Sequence, residues 1–245
     1  MAASPVPLLE VRGLAKTFGG LRAVDGLSFA VGDGEILGLL GPNGSGKTTV
    51  FNLVAGTFPS DAGEVYFSGR QITRCAASLR ATLGIARTFQ LARTLPNLSA
   101  LDNVLVAGLY GRERSPSLSH ARTEALKLLT LLGIRDKSGH PAARLTLAER
   151  KRLEIARALA TRPRLLLLDE PAAGLNTPEV DAALALFGQI RAGGITLVIV
   201  EHNVRAVRAV CDRVVVLNAG KKIAEGVPAE VLEHAEVVQV YLGGV

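Results

Sequence analysis

Nine consecutive residues, Gly41 Pro42 Asn43 Gly44 Ser45 Gly46 Lys47 Thr48 Thr49, fit the pattern GxxxxGK[ST] that cradles phosphate. Glycine lets backbone N–H groups wrap an anion without a Cβ in the way, and a helix start offers unpaired donors and the positive end of a dipole. Lys47 would reach the β and γ oxygens of a nucleoside triphosphate, and Thr48 a magnesium ion. Far along the chain, Leu165 Leu166 Leu167 Leu168 ends on two carboxylates, Asp169 and Glu170. Asp169 is expected to hold magnesium, usually through water, and Glu170 to polarise a water for in-line attack on the γ-phosphorus. One acid at a strand end is commonplace, whereas two beside a phosphate loop point to chemistry. Val200 Glu201 His202 closes a third apolar run in the same way and brings an imidazole to the same sheet edge, where it would donate to the γ-phosphate and sense its presence. A lone histidine is more often structural, and only the company of the other motifs reverses that weighting.

These residues need elements that bring them together. Ile36 to Leu40 reads as a short buried strand before the phosphate loop, and Thr49 to Ala55 as a helix after it. Leu165–Leu168, Ile195–Val200 and Val214–Leu217 are runs of the kind buried on both faces of a parallel sheet, with helices expected over 178–191 and 203–210 between them. Leu8–Val11 and Leu27–Val31 are broken by Gly19 Gly20 and Gly32 Asp33 Gly34, and look like an antiparallel flank. From Ser99 to Arg144 there is no strand signal. A stripe of Ala121, Ala125, Leu128, Leu129 and Leu132 instead predicts helices, and Tyr110–His120 a polar, mobile loop. The expected fold class is α/β: a phosphate-loop core with a mainly parallel sheet, an antiparallel flank and an inserted helical subdomain over about 91–160 of a single domain, 1–245.

Composition narrows the partners. The 245 residues are 48% hydrophobic and 20% charged, enough apolar content for a sizeable core. The net charge of +6 suits an anionic partner, but the arginines are scattered and aromatics make up only 4%, so no base-stacking surface and no nucleic acid is expected. No apolar run is long enough to cross a bilayer and the first residues do not read as a signal peptide, so a soluble, cytoplasmic chain is expected. Cys75 and Cys211 have no metal-ligand spacing and are read as unpaired, structural thiols.

In order and spacing, Gly41–Thr49, Gln90, Leu145–Glu149, Leu165–Glu170 and His202 resemble the nucleotide-binding domains of the ATP-binding cassette (ABC) family over nearly the whole chain. The resemblance implies the ABC ATPase fold, ATP and Mg2+ as ligands, and ATP hydrolysis with Lys47, Gln90, Glu170 and His202 as catalytic residues and Thr48, Gln90 and Asp169 at the metal. It also implies that Phe18 stacks on adenine and that Gln90 joins the magnesium site to the helical subdomain. Read alone, Phe18 is a strand hydrophobe and Gln90 a surface amide. More narrowly, Gly84–Gln90, Ala172–Asn176, Glu201 His202, Glu225–Pro228 and Tyr241–Gly243 look like the branched-chain amino acid importer group. Membership there implies a second cassette, identical or different, two integral-membrane permease subunits, a periplasmic binding protein and a peripheral place on the cytoplasmic face of the inner membrane. The solute would be branched-chain or other amino acids or related small polar molecules.

One segment departs from the family pattern of Leu, Ser, any residue, Gly, Gln: here it is Leu145 Thr146 Leu147 Ala148 Glu149. In the family this helix start contacts the γ-phosphate held by the opposite subunit, which would make Thr146, Ala148 and Glu149 nucleotide-contacting residues. Thr146 keeps a hydroxyl, while Ala148 adds a Cβ and Glu149 a negative charge beside a polyanion, with Arg150, Lys151 and Arg152 to offset it. Two readings stand side by side: tolerated variation, or an asymmetric pair in which this chain's signature serves its partner's site poorly. Gly174 Leu175 Asn176 crosses the dimer interface by resemblance, and locally is a turn and helix cap before Pro178. The competing function is a soluble, non-transport cassette such as an iron–sulfur cluster assembly ATPase, against which Arg87–Gln90 and Ala172–Asn176 weigh.

Overall fold

Two sheets share the work of placing the loops just named. The computed structural model of the chain describes residues 6–89, 94–113 and 115–242. A hairpin of β1 (Leu9–Phe18) and β2 (Leu21–Val31) turns at Gly19 Gly20. Both glycines have positive φ, as the tight turns that match strand twist require. The glycine pair therefore joins two strands longer than the sequence suggested. After β3 (Ile36–Leu40) and α1 (Lys47–Ala55), β4 (Ala62–Phe67) and β5 (Arg70–Gln71) complete a four-stranded sheet in the order β2-β1-β4-β5, antiparallel throughout.

The remaining elements build the second layer. They are α2 (Ala77–Leu83), β6 (Ile85–Arg87), α3 (Ala100–Tyr110), α4 (Leu118–Leu131), α5 (Leu147–Ala160), β7 (Leu165–Asp169), α6 (Thr177–Ala192), β8 (Thr196–Val200), α7 (Val204–Val210), β9 (Arg213–Asn218), β10 (Lys221–Gly226), α8 (Pro228–Val231) and α9 (Ala235–Leu242). The six-stranded sheet runs β10-β9-β3-β8-β7-β6, parallel except for the edge strand β10.

Every residue of β3, β7 and β8 is buried, as a parallel sheet covered on both faces demands. Their side chains alternate between two cores. Leu37, Leu39, Leu165, Leu167, Val198 and Val200 face the antiparallel sheet and α1. Ile36, Leu40, Leu166, Leu168, Leu197 and Ile199 face the helices α3 to α7. Burying each such side chain contributes about 1.5–3 kcal/mol, which is why these strands are apolar apart from Thr196 at the start of β8 and Asp169 at the end of β7.

The predicted stripe on α4 holds: Ala121, Ala125, Leu129 and Leu132 are buried and Leu128 packs partly against them. The polar stretch Tyr110–His120 is less of a loop than its composition implied. Ser117 caps α4 by accepting from His120 N–H, so Leu118 to His120 are helical. Upstream, Arg112 N–H donates to Thr161 O at 2.9 Å and Glu113 pairs with Arg162 at 3.1 Å, tying the segment to the end of α5.

Candidate functional site

Parallel strands β3, β8 and β7 lie side by side, so the chain leaving each one emerges at the same edge of the sheet. This brings Gly41–Thr49 and Asp169–Glu170 together from far-apart stretches of sequence and leaves His202 just past the end of the strand between them. A cleft of about 600 Å³ opens there, lined by Asn43 to Thr49, Glu170, Phe18, Leu21, Arg22, Ala23 and Ala219.

The phosphate loop has the conformation its glycines were expected to permit. Gly46, the residue before α1, has φ 104° and a Cβ there would stand 2.3 Å from Ala23 O, so no side chain fits. Gly44 has φ 79° with nothing within 4 Å of a Cβ position, leaving its backbone open to the cleft. No side chain caps α1 and no acidic residue lies in its first turn, so its N–H donors point at the cleft uncontested. Lys47 Nζ donates to the carbonyls of Gly41 at 2.7 Å and Pro42 at 2.9 Å. Burial pulls the Lys47 ammonium below the usual lysine range, opposed by the nearby charges of Glu170 and Asp169. Thr48 and Thr49 line the cleft directly. Gly220 N–H donates to Ser45 O at 3.0 Å, so the β9–β10 turn braces the loop, a contact with no signal in the local sequence.

Asp169 is buried at the end of β7. Its Oδ2 accepts from Arg87 Nη2 at 2.9 Å, and its Oδ1 is buried with no hydrogen-bond partner among the described residues. Burial raises its pKa despite the ion pair with Arg87. Ser45 Oγ is likewise buried and without a partner among the described residues. A hard cation that prefers oxygen ligands and keeps several waters fits this donor set: one orphan carboxylate oxygen, hydroxyls on the loop, and room for phosphate oxygens. No group of three or more His, Cys, Asp or Glu able to hold a metal exists among the described residues.

Glu170 follows with φ 48°, a left-handed conformation unusual for a non-glycine residue and costing about 1–3 kcal/mol. Strain of this kind persists only where surroundings enforce it. Glu170 N–H donates to Val200 O at 3.0 Å, and Lys151 Nζ donates to Glu170 O at 2.8 Å. His202 is exposed beyond the end of β8 and its ring is not among the groups lining the cleft. Its N–H donates to Glu201 Oε2 at 3.2 Å, and Glu201, buried, also accepts from Ala172 N–H at 2.9 Å.

Phe18 ends β1 at 41% exposure on the cleft wall. Its ring meets Phe58 edge-on, with centroids 5.6 Å apart, and Lys16 Nζ lies 5.4 Å from its centroid. The sequence pointed to Phe18 but not to its neighbours: Lys16 lies two residues back on the same strand, and Phe58 comes from the loop after α1. Gln90 lies outside the described residues. The flanking Phe89 N–H donates to the buried Glu154 of α5 at 3.0 Å, and Arg87 Nη1 donates to Asn52 Oδ1 of α1 at 2.6 Å. Arg87, Phe89, Glu154 and Arg157 line a second groove of about 470 Å³ with the ends of α1 and α2.

Thr146, Ala148 and Glu149 are not on the first cleft; they open α5. Thr146 is its N-cap in a reciprocal capping box: Glu149 N–H donates to Thr146 Oγ1 at 3.2 Å, and Thr146 N–H donates to Glu149 Oε2 at 2.8 Å. Glu149 thus has a local structural task, with Lys137 Nζ 3.8 Å away. Asn176 caps α6 with Glu179 in the same reciprocal way, as a helix start at Pro178 suggested.

Residues 24–173 match the family described as "ABC transporter", and residues 221–245 match "Branched-chain amino acid ATP-binding cassette transporter". The chain is 36% identical over 250 residues to the high-affinity branched-chain amino acid transport ATP-binding protein BraF of Pseudomonas aeruginosa, covering 97% of this chain and 98% of that one. It is 38% identical over 236 residues to the lipopolysaccharide export system ATP-binding protein LptB of Escherichia coli K12, covering 96% and 97%. Its fold is similar to the crystal structure of a nucleotide-free ATP-binding cassette from an ABC transporter, with TM-score 0.88 and 31% identity over 97% of this chain and 100% of that one. It is also similar to a cassette whose structure is dimeric, in a post-hydrolysis state bound to ADP and Pi, with TM-score 0.82 and 25% identity over 90% and 98%.

Proposed function

This chain belongs to the ATP-binding cassette transporter family, and from that premise we propose that it is the ATP-hydrolysing subunit of an importer for branched-chain or related amino acids. The family's chemistry is hydrolysis of ATP to ADP and phosphate, coupled to transport, by paired cassettes. The observation that carries hydrolysis is a single cleft holding Lys47, Thr48 and Glu170, with the buried carboxylate of Asp169 near enough to act on the Lys47 charge. The solute class is supported by the match at residues 221–245, which adds what the match at 24–173 leaves open.

In this reading Gly41–Thr49 bind the phosphates, with Lys47 neutralising the β and γ oxygens, and Phe18 packs against the base. Thr48 and Asp169, with Gln90, would hold Mg2+, which when bound screens the phosphate charge. Glu170 accepts the proton of the attacking water, and His202 donates to the γ-phosphate. Thr146, Ala148 and Glu149 face the nucleotide on a second cassette. Residues 1–245 form one cassette domain with a helical subdomain over about 91–160. In this reading two integral-membrane permease subunits carry the solute across, and this chain sits peripherally on the cytoplasmic face; no helix among the described residues is long and apolar enough to cross a membrane. The groove lined by Arg87, Phe89, Glu154 and Arg157 is where we expect permease helices to dock.

The test is reconstitution in proteoliposomes with its permeases and a solute-binding protein. ATPase stimulated by solute-loaded binding protein, and leucine uptake abolished by Glu170→Gln, is the expected result. Robust uptake by the Glu170→Gln transporter would refute the role of Glu170, and ATPase indifferent to every amino acid would refute the importer reading.

A further inference from the structure

Glu170 precedes Pro171, and a residue before proline is biased toward extended backbone. Its left-handed φ of 48° therefore has to be imposed from outside the local sequence. Four groups, through five hydrogen bonds, impose it. On one side Glu170 N–H donates to Val200 O at 3.0 Å, and Ala173 N–H returns to Glu170 O at 3.2 Å. On the other, Lys151 Nζ donates to Glu170 O at 2.8 Å and Pro171 O at 3.3 Å, while Ala172 N–H is held by the buried carboxylate of Glu201 at 2.9 Å. Lys151 is the one group of the four that comes from α5, the helix whose first turn is Thr146–Glu149.

We propose that Lys151 is a positioning residue for hydrolysis: it holds the Glu170–Pro171 peptide so that the Glu170 carboxylate faces the cleft, and it links that carboxylate to the helix that begins at Thr146. The proposal rests on the reading of Glu170 as the base. Its geometric content is specific. The ammonium donates to two main-chain carbonyls beside the base, so it fixes a backbone direction and touches no nucleotide-binding group of the cleft. Relaxing Glu170 toward an ordinary φ swings its side chain away from the attacking water, while the phosphate loop keeps its shape. A shift of α5 along its axis moves Nζ against the Glu170 carbonyl, so the state of one helix end reaches the base within a single turn and a half of helix.

The experiment compares Lys151→Met and Lys151→Arg in the full-length chain, alone for binding of a fluorescent ATP analogue and in the assembled transporter for steady-state ATPase. Lys151→Met should lower kcat roughly tenfold or more with ATP affinity and KM within about twofold of the parent, and Lys151→Arg should restore most of kcat. In a Glu170→Gln background the Met substitution should add no further loss, because both act through one carboxylate. Retained kcat in Lys151→Met, a fall in ATP affinity in step with kcat, or an equal further loss in the Glu170→Gln background would each overturn the proposal. If Lys151→Met does not fold, Lys151→Gln, which keeps a shorter donor, is read by the same criteria. Near-normal turnover of Glu170→Gln alone would instead sink the assignment of the base, a result distinct from any Lys151 outcome.

Discussion

Helices α1 and α5 both begin where the sequence led us to expect a phosphate contact, yet their first turns are closed in opposite ways. At α1 the preceding residue is Gly46, no side chain caps the helix and no acid lies in the first turn. At α5, Thr146 and Glu149 cap each other, and a carboxylate already accepts one of the terminal N–H groups. An uncapped helix start holds its donors and dipole for an anion from outside, whereas a capping box satisfies them internally and adds negative charge. The difference teaches that Glu149 has a task in its own helix, and that under the proposed role of Thr146–Glu149 the same bond makes α5 a poorer phosphate receptor than α1.

Substitutions can break this comparison, beginning with the largest effect. Gly46→Ala places a Cβ 2.3 Å from Ala23 O at φ 104°, and ATP affinity should fall by at least about a hundredfold, measured by titration with a fluorescent analogue. Near-normal affinity would mean that the loop at α1 is not the phosphate site. Next, Glu170→Gln should lower turnover of the assembled pair by about a hundredfold or more. If the two sites are unequal, the matching change in the partner cassette costs far less; equal losses would show two equivalent sites and end the asymmetric reading. Glu149→Gln keeps an acceptor for Thr146 N–H and removes the charge. Turnover at the partner's site should rise about threefold, a change of under about 1 kcal/mol as befits a partly exposed charge. Unchanged or lower turnover would show that the charge at α5 does not oppose phosphate. Last, Thr146→Ala should destabilise the chain by about 1 kcal/mol in urea unfolding, with ATP affinity of the isolated chain untouched.

The parallel strands and the phosphate loop were legible because each is a local pattern: a run of branched residues, a glycine spacing, a carboxylate pair at a strand end. Strands β4, β6 and β10 were not anticipated. They are short or polar, and β6 and β10 owe their place to the neighbours β7 and β9 rather than to their own sequence. The same limit applies within the site. Lys47, Thr48, Asp169 and Glu170 belong to motifs that can be read along the chain. Arg87 gains its meaning only by reaching Asn52 of α1 and Asp169 of β7, and Glu201 by holding Ala172. Glu149 was read as a charge near a polyanion; S/T-x-x-E spacing was present at Thr146–Glu149 and was the available signal for the cap. Tyr110–His120 was legible as a loop over 111–113 and 115–117, and only its ends were missed, because serine also serves as a helix cap.

The alternation of β3, β7 and β8 between two cores has a consequence for how the molecule comes apart. Every second side chain of each strand belongs to the layer above and the rest to the layer below, so neither layer can loosen while the other keeps its packing. Heat should therefore disperse helices and antiparallel hairpin together, in one cooperative transition. The loops that line the cleft hang from these strands, so they should lose their shape in that same transition, while only the chain ends fray ahead of it.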